Sequence, residues 1–421
     1  MVLTTSILLV VVGLLCGSSW YHSKDLWRTI DSTTIAVDPT IRSIPPVSLA
    51  SNEKDGRSTA LWRNRTVLFG RDPDVSLSQV LTMESVCALG PGQGIEEDAG
   101  YKLLVDKIRR TTNTTTITGR SLRLFCGIYS HSGRRSQVQV QAATWGNQCD
   151  GWIVFSNESM TEWGIYNLSH EGAESYGNMW QKVRSIWTFQ YQQQQQHQQQ
   201  HHHDYFYLGG DDTYVLVDNL KDWLRQWDYD RTIPRHMGQW LPGKAMISGG
   251  PGYVLNAAAL QRLVKEGLPR CFVTTKASYE DRLLSHCLAD VLGIMGNQTD
   301  TRDNHGEQRF HDASPAMLYS FRASTARGSS YLARTAATWE DLPPPHNSTT
   351  QSKGARVGPK HALEAAAAYS ISFHHIYNPH YMARIHAILH PHVCPPDSPL
   401  GRGLRQHLPS SSPLFLESIN A

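Results

Sequence analysis

The chain has no excess of charge of either sign, no C-x-x-C pair and no second long apolar run. Each absence excludes a class. Its 39 basic residues nearly balance 37 acidic ones, a formal charge of +2. No polyanion-binding surface follows, so a nucleic-acid partner is not expected. Without C-x-x-C a zinc ribbon is not expected either. Crossing a bilayer takes about 20 apolar residues, and only the N-terminus comes near that: Ile7 to Gly17 is apolar, and no charged side chain precedes Lys24. A multi-span membrane protein is thereby excluded. Residues 1–20 read as a single-span signal anchor or as a signal peptide cut near Gly17-Ser18-Ser19, although a positive leader is missing. Both readings send the chain into the secretory pathway.

What is present agrees with that route. Six of the fourteen Asn residues, at 64, 113, 157, 167, 297 and 347, stand in N-x-S/T acceptor sequences, where chance predicts roughly two. Of seven cysteines, Cys16 lies in the apolar run, leaving an even set of Cys87, Cys126, Cys149, Cys271, Cys287 and Cys394. An oxidising lumen favours such a set, but spacing does not decide its pairing.

At 421 residues the chain can hold one large domain or two ordinary ones. Residues 21–119 are polar and interrupted by Pro45-Pro46 and by a Thr-rich run from Thr111, and read as a stem or spacer with a little structure near Tyr101 to Ile108. Residues 120–390 alternate apolar runs with helical patterns, and 391–421 read as a disordered tail rich in Pro and Ser. Residues 192–203 are a Gln/His low-complexity insertion, read as an expanded surface loop rather than as a metal site.

In the middle block, Leu122–Tyr129, Gly151–Phe155 and Tyr205–Leu208 read as strands. Helices are expected over Glu171–Tyr191, from Val217 to Leu224, over Ala257–Glu266 and over Asp281–Val291. This alternation predicts an α/β layered sheet whose ligands bind at the C-terminal strand ends. The strand from Tyr205 runs into Gly209-Gly210-Asp211-Asp212-Thr213. Adjacent carboxylates at a sheet edge can hold a hard divalent cation, and an ordinary Gly-Asp turn is the plainer alternative. Met246-Ile-Ser-Gly-Gly-Pro-Gly-Tyr253 sets a glycine-rich turn before a helix, allowing close backbone approach to a ligand. Ser278-Tyr-Glu-Asp281 opens an apolar helix and reads locally as a capping box. Ser372-Phe-His-His375 closes a strand-like run.

In this order, the segments resemble the core 1 β1,3-galactosyltransferases of the inverting β1,3-glycosyltransferase superfamily, which includes the fringe enzymes. The matching residues are Cys126 through Trp145 to Cys149, Trp180-Gln-Lys182, Asp211 to Leu220, Ser248 to Leu255, Glu280-Asp281 with Cys287, Asp300 to Asp303, Phe310-His311 and Ser372-Phe-His374. The resemblance covers residues 120–390. It implies a GT-A type, Rossmann-like domain, a UDP-galactose donor, Mn²⁺ and a GalNAc-bearing glycoprotein acceptor. It further implies a Golgi membrane enzyme with a lumenal catalytic domain, or a secreted one, and allows a homodimer. By position, Asp212 and His374 match the metal ligands. Tyr129, Glu171, Gly172, Lys182, Asp211 and His375 match nucleotide contacts, and Asp281 matches the base that takes the acceptor's proton. Bridges Cys126–Cys149 and Cys271–Cys287 are implied as well.

Two positions depart from the family. Gly210 stands where the family carries the first Asp of a triplet, so restoring Asp there is expected to raise metal affinity. Ala365-Ala366 replaces a paired cysteine. Gly210 keeps a catalytically silent chaperone paralogue open, and a fringe-like transferase with another donor or acceptor is a separate alternative.

Overall fold

The structure, a computed structural model, describes residues 82–91, 93, 100–111, 121–196, 202–241, 244–299, 301–320 and 366–407. The N-terminal apolar run, most of the stem, Asp300 and the end of the tail lie outside the described residues. Among the described residues no helix is long and apolar enough to cross a membrane.

A six-stranded sheet carries the fold. Its strands are β1 (Leu124–Tyr129), β2 (Gly151–Ser156), β3 (Ile165–Asn167), β4 (Tyr205–Gly210), β6 (His236–Gly238) and β9 (Tyr253–Asn256), in the order β3-β2-β1-β4-β9-β6. The first four run parallel, and β9 is antiparallel to both β4 and β6. Alternate residues feed two separate cores, as the two-residue period of a strand requires. Leu124, Cys126, Ile128, Val154, Tyr205 and Tyr207 enter one core, while Phe155, Phe206, Leu208 and Leu255 enter the other. With both faces covered, the strands are apolar throughout rather than alternating, which suits a parallel sheet.

Helices α2 (Arg135–Ala143) and α4 (Val217–Arg225) cover the first face, and α3 (Met179–Gln196), α5 (Ala257–Arg262) and α6 (Glu280–His286) the second. In α3 the stripe Trp180, Val183 and Trp187 is fully buried, at the spacing that predicts it. The helix begins later than expected. Gly172 adopts φ 80, and Asn178 Nδ2 donates to the carbonyls of Glu171 and Ala173, holding that segment as a loop.

The stem and tail expectations meet different findings near residues 82–111 and 391–407. Helix α1 (Met83–Cys87) and a helical turn at Leu103–Lys107 bury Val86, Leu103, Leu104 and Val105 in the first core. Helix α8 (Pro379–Leu389), capped by Asn378, packs there too. Its buried Arg384 donates to the carbonyls of Leu89 (3.0 Å) and Gly90 (2.7 Å). Disulfide Cys87–Cys394 joins the two segments, and helix α9 (Pro399–His407) buries Leu400 and Leu404. Polar composition concealed these segments because each contributes only a few apolar side chains to a core built elsewhere. Bridges Cys126–Cys149 and Cys271–Cys287 are both formed. The three acceptor-sequence asparagines among the described residues, 157, 167 and 297, are exposed.

Candidate metal and nucleotide site

Strand order sets the place of the site. After β1 the chain crosses to β2 on one side, whereas β4 lies on the other, so a crevice opens where the order reverses. Tyr129, the last residue of β1, is in register with Gly210, the last of β4. Ser130 and Asp211 therefore leave adjacent strand ends, and the Ser130 hydroxyl donates to Asp211 Oδ2 at 2.6 Å. The cleft at this edge measures about 1020 Å³.

A small second sheet brings the distant histidines here. β5 (Tyr214–Val215) pairs antiparallel with β11 (Ser372–Phe373), Tyr214 opposite Phe373. Continuing that register past both strand ends places His374 and His375 beside Asp212. The Ile376 amide closes the pairing on the Asp212 carbonyl at 2.9 Å, helped by a left-handed turn at His375, φ 61. His374 Nε2 lies 3.2 Å from Asp212 Oδ2. Asp212, His374 and His375 each offer a ligand atom, all within 4.8 Å of one another. A carboxylate oxygen with imidazole nitrogens is a donor set that borderline divalent cations accept, so the residues present fit a metal ion.

Electrostatics bind the cluster together. Burial would push Asp212 up, but the hydrogen bond and charge of His374 outweigh it and hold the carboxyl below the usual range. Burial would push His374 down, but hydrogen bonds to Asp212 and Asp312 raise it to about 9. His375 is lowered by burial and by the charge of His374.

Asp211 plays a different part. Both of its oxygens are occupied, Oδ2 by Ser130 and Oδ1 by Arg134 Nε at 3.2 Å. Burial raises its pKa against the lowering effect of Arg134 and Ser130. Buried Lys182 reaches the same edge from α3 and donates to the Ser130 carbonyl and to Glu174.

Asp281, which lines the same cleft, stands in the first turn of α6. The expected capping box does not form, because the helix begins at Glu280 with Tyr279 as its cap and no side-chain bond there. Asp281 turns to the glycine-rich segment instead. Its Oδ2 accepts the Gly249 amide at 2.8 Å and its Oδ1 the Arg282 amide at 2.7 Å. Burial raises its pKa despite those two donors. The glycines explain the close fit. A Cβ at Gly249 would lie 2.9 Å from Asp281 Cβ, and one at Gly250 would lie 2.1 Å from Asp312 Oδ1 and 2.5 Å from His374 Nδ1.

Of the residues named from sequence, Tyr129, Lys182, Asp211, Asp212, Asp281, His374 and His375 all line this one cleft. Glu171 and Gly172 do not. They sit on the exposed loop before α3, and Glu174 takes that place, bonded to Lys182. His375, expected at the nucleotide, joins the candidate metal cluster. Asp312 carries no motif signal of its own, although it follows Phe310-His311 directly, and that strand lies parallel to β11. At Gly210 a Cβ would meet Asp212 Oδ1 at 2.9 Å and Tyr129 Cε2 at 3.2 Å. An aspartate there would compete with Asp212 for space, which counts against the simple gain expected from restoring it.

No protein-family model matches the chain. Over 120 residues it is 31% identical to glycoprotein-N-acetylgalactosamine 3-beta-galactosyltransferase 1 of Xenopus laevis, a stretch amounting to 28% of this chain and 32% of that protein. The matched stretch thus spans about a third of the curated relative's length. The chain is a mixed α/β protein, distantly similar over that stretch to a galactosyltransferase.

Proposed function

We propose that this chain is an inverting, metal-dependent glycosyltransferase with a GT-A type domain. It moves galactose from UDP-galactose to the 3-hydroxyl of GalNAc on Ser or Thr of a glycoprotein, in the Golgi lumen. One observation carries the reading: Asp212 and His374 converge on one cleft, and Asp281 lines that same cleft. The Xenopus laevis relative, by its name, acts on glycoprotein N-acetylgalactosamine, and this supports the donor and acceptor assignment. Three disulfides accord with an oxidising lumen.

Asp212, His374 and His375 would hold the ion, with Mn²⁺ the proposed metal. Bound there, it supplies positive charge to a diphosphate leaving group. The chain's own residues do the rest. Lys182, which lines the cleft, and Arg134, paired with Asp211 at its edge, are the cations that would meet the diphosphate. Asp281 takes the proton of the acceptor hydroxyl as that oxygen forms its bond to C1 of the sugar. The C1–O bond to UDP breaks on the opposite face, and its electron pair leaves with the diphosphate. Each Asp281 oxygen spends one lone pair on a backbone amide and keeps another for that proton. Burial raises the carboxyl's basicity toward the range a general base requires.

The test is a donor and acceptor panel with and without Mn²⁺, repeated on Asp212→Ala. Galactose transfer that needs both the ion and Asp212 is expected. Transfer surviving loss of both would refute the reading, and a silent folding partner would release no UDP at all.

A further inference from the structure

We propose that Asp312 is the positioning residue of the metal cluster: it fixes the His374 ring so that Nε2 faces Asp212, and through Ser248 it ties that ring to the turn holding Asp281. The proposal rests on the metal reading above.

Asp312 is assigned no role by the sequence motifs, yet its carboxylate joins two separate elements. Oδ1 accepts from His374 Nδ1 at 2.6 Å, and Oδ2 accepts the Ser248 hydroxyl at 3.0 Å. Its own amide donates to Gln239 Oε1 at 3.0 Å, which fixes the backbone from which the carboxylate extends. The strand pairing delivers it there. His311 is in parallel register with Phe373, so the next residue of each strand, Asp312 and His374, leaves side by side.

An imidazole binds a cation through one nitrogen, and the partner of the other nitrogen decides which. With Nδ1–H given to Asp312, Nε2 is the nitrogen left facing Asp212, 3.2 Å away, and it is the one whose lone pair a cation takes once its proton has left. Without that acceptor the ring can turn over and present carbon to the cation. Asp312 Oδ1 also lies 3.9 Å from His375 Nε2, beyond hydrogen-bond distance, so its bond within this pair is to His374. From Ser248 the chain of contacts continues into the Gly249 amide, which donates to Asp281. Gly250 lets Asp312 and His374 approach the turn, since any side chain there would occupy their space.

The experiment titrates Mn²⁺ into the full chain, reading the free-ion electron paramagnetic resonance signal, for the unaltered protein, Asp312→Ala and Asp312→Asn. Removing such an outer partner weakens metal binding by about 10–100-fold, and this is expected of the alanine variant. Asparagine retains an oxygen that can accept Nδ1–H, so it should recover most of that loss. Alanine binding within twofold of the unaltered chain, or asparagine as weak as alanine, overturns the proposal. A second readout is independent of any variant's folding. With diamagnetic Zn²⁺ on the unaltered protein, nitrogen-15 correlations of His374 should show a protonated Nδ1, and a protonated Nε2 overturns the proposal. If the unaltered chain binds neither ion, the metal reading falls, and this proposal falls with it.

Discussion

Metal binding to this cleft should release a proton, and its affinity should climb with pH. In the metal-free protein His374 stands between two carboxylates, which raise it to about 9. A cation needs the neutral ring, so the proton must leave first. At pH 7, two units below that value, about 1% of the rings are neutral, which weakens apparent affinity about a hundredfold, or about 2.7 kcal/mol. The logarithm of affinity should therefore rise by about one per pH unit between 6.5 and 8.5 and level off near 9. The same raised pKa stabilises the metal-free fold. That contribution is fully present below about pH 6.5, the ring's ordinary value, and is lost as pH rises through about 9. The assay is calorimetric titration of Mn²⁺ in two buffers of different ionisation heat, which counts protons directly. Affinity that does not change with pH, with no proton released, would show that His374 is neutral before binding or is not a ligand.

Further outcomes follow from the same geometry. Asp281→Asn should lower turnover by about 10²–10⁴-fold while leaving Mn²⁺ affinity unchanged; parallel kinetics and metal titration check both. Gly250→Ala should destabilise the fold by about 1–3 kcal/mol and weaken metal binding, because its Cβ would intrude on Asp312 and His374; chemical denaturation and metal titration measure this. Replacing Cys87 and Cys394 together by Ser should cost about 2–5 kcal/mol of stability, read as a lower unfolding midpoint, with transfer retained in the folded fraction. Shortening the Gln/His tract at residues 197–201 should leave turnover intact. Helix α3 runs through the first residues of the tract to Gln196, and buried Gln194 bridges to both the amide and the carbonyl of His203 at 3.1 and 2.9 Å, so the surface-loop reading does not hold for residues 192–196.

Only local features are legible in the residues taken alone. Periodicity located β1, β2, β4, α3 and α4, because apolar spacing reports burial without reference to the rest of the chain. Residue chemistry singled out Asp212, His374 and Asp281, since carboxylates at a strand end and a histidine pair are readable as donors wherever they fall. Tertiary structure decided what these residues meet. Asp212 and His374 converge only because β5 pairs with β11, and Asp312 enters only because β10 (Phe310–His311) lies beside β11. Two-residue strands are too short to leave a periodic trace, so neither pairing could be read beforehand. The same holds for Asp281, whose local sequence suggested a cap, whereas its carboxylate is spent on an amide of the glycine-rich turn. Residues 83–87, 101–108 and 394–404 reach the core for a related reason: their few apolar side chains gain meaning only against α8, and a disulfide between distant cysteines holds two of these segments together.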